Sequence, residues 1–466
     1  MPTRRRLLVL AALAAPLPLA AGLGWLVFGF VPLRAAVVGP FAASAQTPAQ
    51  AHRAAAPAPA WPMFGASPAR TRFVPSDLRP PFRLVYTIPG GGLIEMPPAV
   101  AEGRLVFGTH EGDVVAARAS DGALAWVRRL GRCIASSPAV HAGVVYIGWS
   151  GAASCVRGKD ERGGLVALSL ATGEVLWRFN PGNVESSPAV AGGVLYFAAF
   201  RSRSESRVFA LRLRPPRRVL WSYPIASKVA SSPSLAGRTL VVSAYDRYLY
   251  GLDARSGALR WRTTAFSSDD EAQLLLGVRS LVTRRSWREG GFYATPTVGY
   301  RRVYAGVIDG VFSAFDVRTG AHRWSRKLEG SIYGSAALWK EKVYVGTTEG
   351  VFYALSARDG SVVWRRDLGG AVLGSPTVTN GRVWIATTAR RTYVLDARTG
   401  EVEWVFGDGR YSPLVVVGDR AYVVGKGRVY ALENARRGPA FSRSSRPASD
   451  RDDRRALGWR PERLTG

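Results

Sequence analysis

Asp396-Ala397-Arg398-Thr399-Gly400-Glu401-Val402-Glu403-Trp404 closes one of six segments in which a glycine precedes a tryptophan by four residues. The others pair Gly122 with Trp126, Gly173 with Trp177, Gly257 with Trp261, Gly320 with Trp324 and Gly360 with Trp364. A seventh segment, Arg214-Pro215-Pro216-Arg217 ahead of Trp221, keeps the indole and replaces the turn. Successive tryptophans stand 51, 44, 40, 63, 40 and 40 residues apart, so the period is 40 with insertions in three units. That is the length of one four-stranded propeller blade. The glycine supplies the positive φ of a tight hairpin, and the indole has the area to fill the wedge between twisted sheets.

Working outward, each unit has three further parts. An inner strand follows Ser-Pro or Thr-Pro, as in Ser137-Pro138-Ala139-Val140 and Thr295-Pro296-Thr297-Val298. A second strand is aromatic and β-branched, for example Val343-Tyr344-Val345-Gly346, and a third, such as Val351-Phe352-Tyr353-Ala354-Leu355, leads into the turn. The eighth unit runs from Ser412-Pro413 to Leu432 and stops before its tryptophan strand. An unassigned β segment, Arg83-Leu84-Val85-Tyr86-Thr87-Ile88, lies ahead of the first inner strand at Pro97-Pro98-Ala99-Val100, with Tyr86 at the indole position. Pairing it with the eighth unit closes the ring and removes exposed sheet edges. The sequence therefore predicts an all-β, eight-bladed propeller of four-stranded antiparallel blades over residues 61–433, its last blade closed by an N-terminal strand.

The ends read differently. Residues 1–6 form a basic stub, and residues 7–33 are apolar with no charge until Arg34, long enough to cross a hydrocarbon core of ~30 Å as one helix. Arg4, Arg5 and Arg6 ahead of the span favour a cytoplasmic N-terminus and a propeller on the extracytoplasmic side. The alternative is a cleaved signal at Ala43-Ser44-Ala45 followed by secretion. Residues 34–60 are an Ala/Pro-rich linker, and residues 434–466, rich in Arg, Ser, Pro and Asp, read as a disordered tail.

The repeats resemble the pyrroloquinoline-quinone (PQQ) repeat family, whose pattern D-x-x-T-G-x-x-x-W occurs in quinoprotein alcohol dehydrogenases and in BamB-like assembly factors. Residues 396–404 meet it in full, and Asp316-Val317-Arg318-Thr319-Gly320 with Trp324 meets it again. Trp61-Pro62-Met63-Phe64-Gly65, continuing to Ala69-Arg70-Thr71-Arg72, is similar to the W-P-x-x-G opening of such chains. The resemblance covers about residues 61–432 and speaks for fold more than for function.

In the dehydrogenases so resembled, the quinone sits above the channel with calcium, a catalytic Asp and two adjacent cysteines. This chain has only Cys133 and Cys155, and its acids are mostly turn residues such as Asp121, Asp253 and Asp359. Asp269-Asp270-Glu271 reads as a helix start, and His110, His141 and His322 stand singly as solvated histidines. No catalytic or metal residues are nominated and no cofactor is expected. PQQ with calcium is the variant the resemblance implies, without site residues to support it.

In such blades the second-to-third loops and the interblade connections emerge on one face, and every large insertion falls there: 149–164, 200–207 and 264–291. That face is the candidate partner surface, with Trp149, Arg201, Arg203, Leu274, Leu275, Val278, Arg284, Arg285 and Trp287 its candidate residues. In the last insertion Leu274, Leu275, Val278, Leu281 and Val282 are spaced for one side of a helix. Cys133 and Cys155 both map to this face and are expected to form a disulfide outside the cell.

The function expected is a membrane-anchored protein-binding or assembly scaffold. Two alternatives stand beside it: a quinoprotein oxidoreductase with a degenerate site, and a receptor for an anionic wall or surface polymer. The formal charge of +29, carried mainly by arginine, favours polyanions in general. The plainer reading of that charge is arginine standing for lysine on solvated faces.

Overall fold

The computed structural model describes residues 60–131, 133–151, 163–264, 291–409 and 414–435. Among them no helix occurs, and 32 strands form eight four-stranded antiparallel sheets. Seven sheets use four consecutive strands each. Blade one, for example, comprises Ala99–Ala101, Arg104–Gly108, Asp113–Arg118 and Leu124–Arg129. Its three-residue inner strand is buried throughout, and its outermost strand is largely exposed but keeps its tryptophan covered.

Blade eight is ordered Phe82–Pro89, Arg428–Asn434, Arg420–Val424, Val415–Val417. Tyr86 lies opposite Ala431 and Thr87 opposite Tyr430, so the chain's two ends share this sheet as the sequence predicts. The inner strands of blades one and eight touch, which completes the ring. The last strand reaches Asn434, and Ala435 N–H donates to Pro81 O at 2.8 Å, so the sheet extends past the expected boundary at residue 433. Residues 1–59 and 436–466, with the anchor, linker and tail readings, lie outside the described residues.

The indoles explain why the glycine recurs. In five blades the tryptophan stands opposite an alanine: Ala116 for Trp126, Ala167 for Trp177, Ala210 for Trp221, Ala314 for Trp324 and Ala354 for Trp364. Tyr86 occupies the same position against Ala431. Each ring reaches into the next blade. Trp126 Nε1–H donates to Leu170 O at 3.0 Å, Trp221 to Ala254 O at 3.0 Å, Trp324 to Ala357 O at 3.2 Å and Trp364 to Ala397 O at 3.2 Å. Tyr86 Oη–H does the same toward Ala119 O. Gly360, at φ 74°, lies under Trp324, so the motif glycine is required both by its backbone angle and by a neighbouring ring. Blade three has no such glycine, and there Arg217 covers Trp177 with its guanidinium 6.0 Å from the ring centre.

The seven repeat tryptophans are not equivalent, although one motif marks most of them. Trp261 faces Gly251 in place of an alanine, and a Cβ added at Gly251 would come within 2.1 Å of its Cε2. The Trp261 ring therefore lies against the backbone of its own blade. It still reaches forward, donating through Nε1–H to Val317 O of blade five at 3.1 Å, and it rests on Gly320. Trp404 faces Val394 and is only half-buried, as is Trp364.

Part of the positive charge is structural. Arg128, Arg326 and Arg366, each two residues past a blade tryptophan, donate to the turn-glycine carbonyl of the next blade at 2.7, 3.0 and 2.9 Å. These arginines tie blade to blade, a role beyond the solvated faces expected from the sequence.

The channel is filled by the chain's own residues 61–76. Inner-strand N–H groups donate inward to this segment: Val140 to Pro62 O, Leu235 to Pro68 O, Val298 to Ala69 O, Leu338 to Thr71 O and Val378 to Arg72 O, all between 2.7 and 3.0 Å. Trp61 pairs with Val100 in both directions. Arg70 and Arg72 are completely buried. Arg70 donates to Pro233 O at 3.0 Å, Ser187 O at 2.9 Å, Pro188 O at 3.2 Å and also Phe64 O. Arg72 donates through Nε to Pro376 O at 2.8 Å, while both its terminal nitrogens are buried without a partner. Both guanidinium pKa values are lowered to about 9, by burial in Arg70 and by burial together with the charge of Arg70 in Arg72. The W-P-x-x-G opening is therefore a plug.

Candidate functional site

Strand direction alternates within a blade, so second-to-third loops and interblade connections share one face. Leu130 N–H, leaving blade one, donates to Gly112 O of that blade's second-to-third loop at 2.8 Å. The connections converge on the channel mouth around a cavity of about 190 Å3, with Phe64 of the plug among its walls. Phe64 lies against Arg72 and Arg70, whose guanidinium carbons are 4.6 and 5.6 Å from its ring centre.

The Ser-Pro motif builds the rim. Ser137 N–H donates to Ser187 Oγ, Ser187 N–H to Ser232 Oγ, Ser232 N–H to Thr295 Oγ1 and Ser335 N–H to Ser375 Oγ, each at 2.9 Å. Each hydroxyl thus bonds the inner-strand entry of the preceding blade. In blade one the corresponding residue is Pro97, which has no N–H to give. Ser137 Oγ is accordingly buried with no partner. These serines are structural, and none of those bonds places a base beside a nucleophile.

Two residues before each of these positions a side chain faces the cavity: Glu95, Ala135, Glu185, Ala230, Tyr293, Tyr333 and Leu373. Lys228 Nζ is 2.9 Å from Glu185 and 4.3 Å from the Phe200 ring centre. Tyr293 stacks obliquely on Tyr333 with centres 5.3 Å apart. Burial, then the charges of Glu95 and Glu185, raise the Tyr293 hydroxyl pKa. No sequence motif marks these residues. Comparing that one position across the repeats would have found them.

Several expectations change. His110 is not a lone solvated histidine: its Nε2 meets the Glu95 carboxylate at the mouth. Trp149 is buried at the end of its strand among Ile134, Ile147 and Val166, so it packs the core and presents no surface to a partner. Residues 200–207 are a longer hairpin: Val194–Ser202 and Glu205–Arg212 pair down to Ser202 opposite Glu205. Arg201 and Arg203 are exposed at its tip. His141 is exposed, and His322 Nε2 lies 2.7 Å from Ser325 Oγ with its pKa lowered by burial. Leu274, Leu275, Val278, Arg284, Arg285, Trp287, Cys155 and Asp269-Asp270-Glu271 lie outside the described residues.

A model of the family described as outer membrane protein assembly factor BamB matches residues 76–156, 161–289, 217–338 and 308–445. This chain belongs to the BamB family. Solved BamB from Moraxella catarrhalis shares 18% identity over 76% of this chain and 99% of its own, with a TM-score of 0.59. A quinohemoprotein alcohol dehydrogenase from Comamonas testosteroni shares 13% over 84% of this chain and 83% of its own, at 0.64. A europium-containing methanol dehydrogenase shares 11% over 80% and 98%, also at 0.64. At these identities the likeness shows the fold alone. No curated protein matches the sequence.

The dehydrogenase likeness raises the question of a quinone with calcium, and the described residues of this mouth do not fit it. Calcium takes six to eight oxygen ligands. Among the described residues no group of three His, Cys, Asp or Glu side chains is placed to hold a metal. The two carboxylates at the mouth already face Lys228 and His110. The turn acids are engaged too: Asp316 accepts from the N–H groups of Arg318 and Thr319 at 2.9 and 3.0 Å, and Asp396 from those of Arg398 and Thr399 at 2.8 Å.

Proposed function

We propose that this BamB-family propeller is a membrane-anchored, extracytoplasmic scaffold that binds a protein partner through the face bearing its interblade connections. The family match along the propeller carries the reading. It is supported by the exposure of Arg201, Arg203 and Tyr293 on that face and by a cavity there too small for a typical ligand pocket of ~300–1,000 Å3. Residues 7–33 are the anchor in this reading. Cys133 and Cys155 pin the loop they share: Ser150 N–H donates to Cys133 O at 2.9 Å, which brings the base of the 149–164 insertion to Cys133. Alkylation and mass analysis without reductant would find that pair unmodified.

Site-directed photo-crosslinking in intact cells tests the docking face. A crosslinker at Arg201 or Tyr293 captures a defined protein partner, and one at Val363 on an outer strand does not. Removing residues 264–291 weakens capture. Equal adducts from all three positions would defeat the assignment of the face.

A further inference from the structure

The opposite face carries a separate feature. The third-to-fourth turns of blades four to seven each place an arginine two residues before the motif glycine: Arg255 before Gly257, Arg318 before Gly320, Arg358 before Gly360 and Arg398 before Gly400. All four are exposed, and among the described residues none forms an ion pair, the acids of two of these turns pairing with Arg238 and Arg323 instead. The repeat puts them at one equivalent position in four neighbouring blades, so they follow an arc around the channel axis.

The acids of the same turns are occupied. Asp253 accepts from Arg255 N–H and Ser256 N–H, both at 3.1 Å, and pairs with Arg238 at 2.9 Å. Asp316 pairs with Arg323 at 2.7 Å, and Asp359 accepts from Ser361 N–H at 3.0 Å. Arg358 and Arg398 lie near enough to Asp359 and Asp396 to help lower those carboxyl pKa values, while all four guanidiniums stay exposed. Arg301 and Lys340, in the first-to-second turns of blades five and six, add exposed cations to this same face, with the exposed Glu341 beside them. Blades one and two have Ser120 and Ala171 at the equivalent position, so the charge forms a track rather than a full ring. The channel mouth on the other side has Glu95 and Glu185 among its walls and no Lys or Arg. That face also carries Lys228 beside Glu185 and the exposed Arg201 and Arg203.

We propose that the turn face of blades four to seven is a docking track for a linear polyanion, with Arg255, Arg318, Arg358 and Arg398 as successive contacts. A track of evenly repeated guanidiniums suits a chain of regularly spaced phosphates or carboxylates, because each guanidinium presents paired donors to one anionic group. This surface does not depend on the protein-binding reading of the opposite face.

The test uses the full chain and linear polyphosphate as the probe, followed by fluorescence anisotropy across a salt series. Replacing all four arginines by glutamine (R255Q, R318Q, R358Q, R398Q) should weaken binding at least tenfold. It should also flatten the log–log salt slope by about three, near 0.7 for each phosphate that is no longer neutralised. A control variant, Arg129→Gln with Arg365→Gln on the outer strands, should bind as wild type, and matching thermal unfolding shows that both variants fold. Two results overturn the proposal: binding within twofold of wild type in the fourfold variant, or binding to anionic lipid vesicles without binding to polyphosphate. Crosslinking from Arg201 reads the other face and can fail or succeed separately.

Discussion

Gly400 sits beneath the indole of Trp364: a Cβ added at Gly400 would come within 2.6 Å of Cε3. Gly360 holds the same relation to Trp324, Gly320 to Trp261 and Gly173 to Trp126. The glycine of one blade is therefore shaped by the tryptophan of the blade before it. The spacing visible within a repeat records a contact between repeats.

Gly400→Ala should destabilise the propeller by roughly 1–3 kcal/mol, because it adds both a strained positive φ and a methyl group against a rigid ring. Gly103→Ala tests the division of that cost. Gly103 has φ +74° with nothing within 4 Å of an added Cβ, so it should lose only the conformational part. Chemical unfolding of both variants measures the difference. Equal losses would mean that the indole yields and the contact adds nothing.

The blades and their closure were legible because a 40-residue period forces equivalent residues into equivalent positions, and spacing alone puts Tyr86 where an indole belongs. The plug was not. Residues 61–76 follow no strand period, since their hydrogen bonds go outward to several different blades and the segment bends at positive φ in Gly65, Ala66, Arg70 and Arg72. The cavity escaped for a related reason. Glu95, Glu185, Tyr293 and Tyr333 differ in type, so no motif marks them, and only their common position before the rim residue brings them together. Trp149 misled because a large aromatic beside an insertion looks like an exposed anchor, while here it fills core. Trp261 shows the finer limit: its glycine and its spacing fit the motif, yet nothing in that motif says that Gly251 lies under its ring.

Arg70 and Arg72 should respond oppositely to substitution. Arg70 satisfies four buried carbonyl oxygens, and Arg70→Met leaves them without donors, so stability should fall by at least about 2 kcal/mol. Arg72 serves one carbonyl and keeps two buried nitrogens unpaired beside a second positive charge. Replacing such a charge by an apolar side chain of similar length removes a desolvation cost, so Arg72→Met should unfold at or above the wild-type midpoint. A loss at Arg72 as large as that at Arg70 would contradict this account of the plug.

Acid should loosen the turns between pH 4 and pH 2. The carboxyl of Asp316, paired with Arg323, and that of Asp359, accepting from Ser361 N–H, are both lowered from 3.8 to about 2. A folded pKa below the unfolded one means that the stabilisation is present above about pH 4 and fades as pH falls through the folded value. In Asp316→Asn/Asp359→Asn the unfolding midpoint should change less between pH 4 and pH 2 than in wild type. Parallel pH profiles for the two proteins would assign acid sensitivity elsewhere.

Phe82→Ala tests the seam where the ring closes without a covalent turn. Trp404 has no motif glycine of a following blade to rest on, because blade eight pairs Phe82–Pro89 with Arg428–Asn434 from the far end of the chain. Phe82 takes that place: it is fully buried, its ring centre 4.8 Å from Trp404 edge-on and 5.2 Å from Trp384. Truncation opens a cavity and should cost roughly 3–5 kcal/mol. Because the closing strand is then held mainly by its ladder to Arg428–Asn434, amide exchange should rise first at Leu84, Tyr86 and Ile88 and later in blades three and four. Uniform exchange across all blades would show instead that the ring opens as one cooperative unit, with no weak point at its seam.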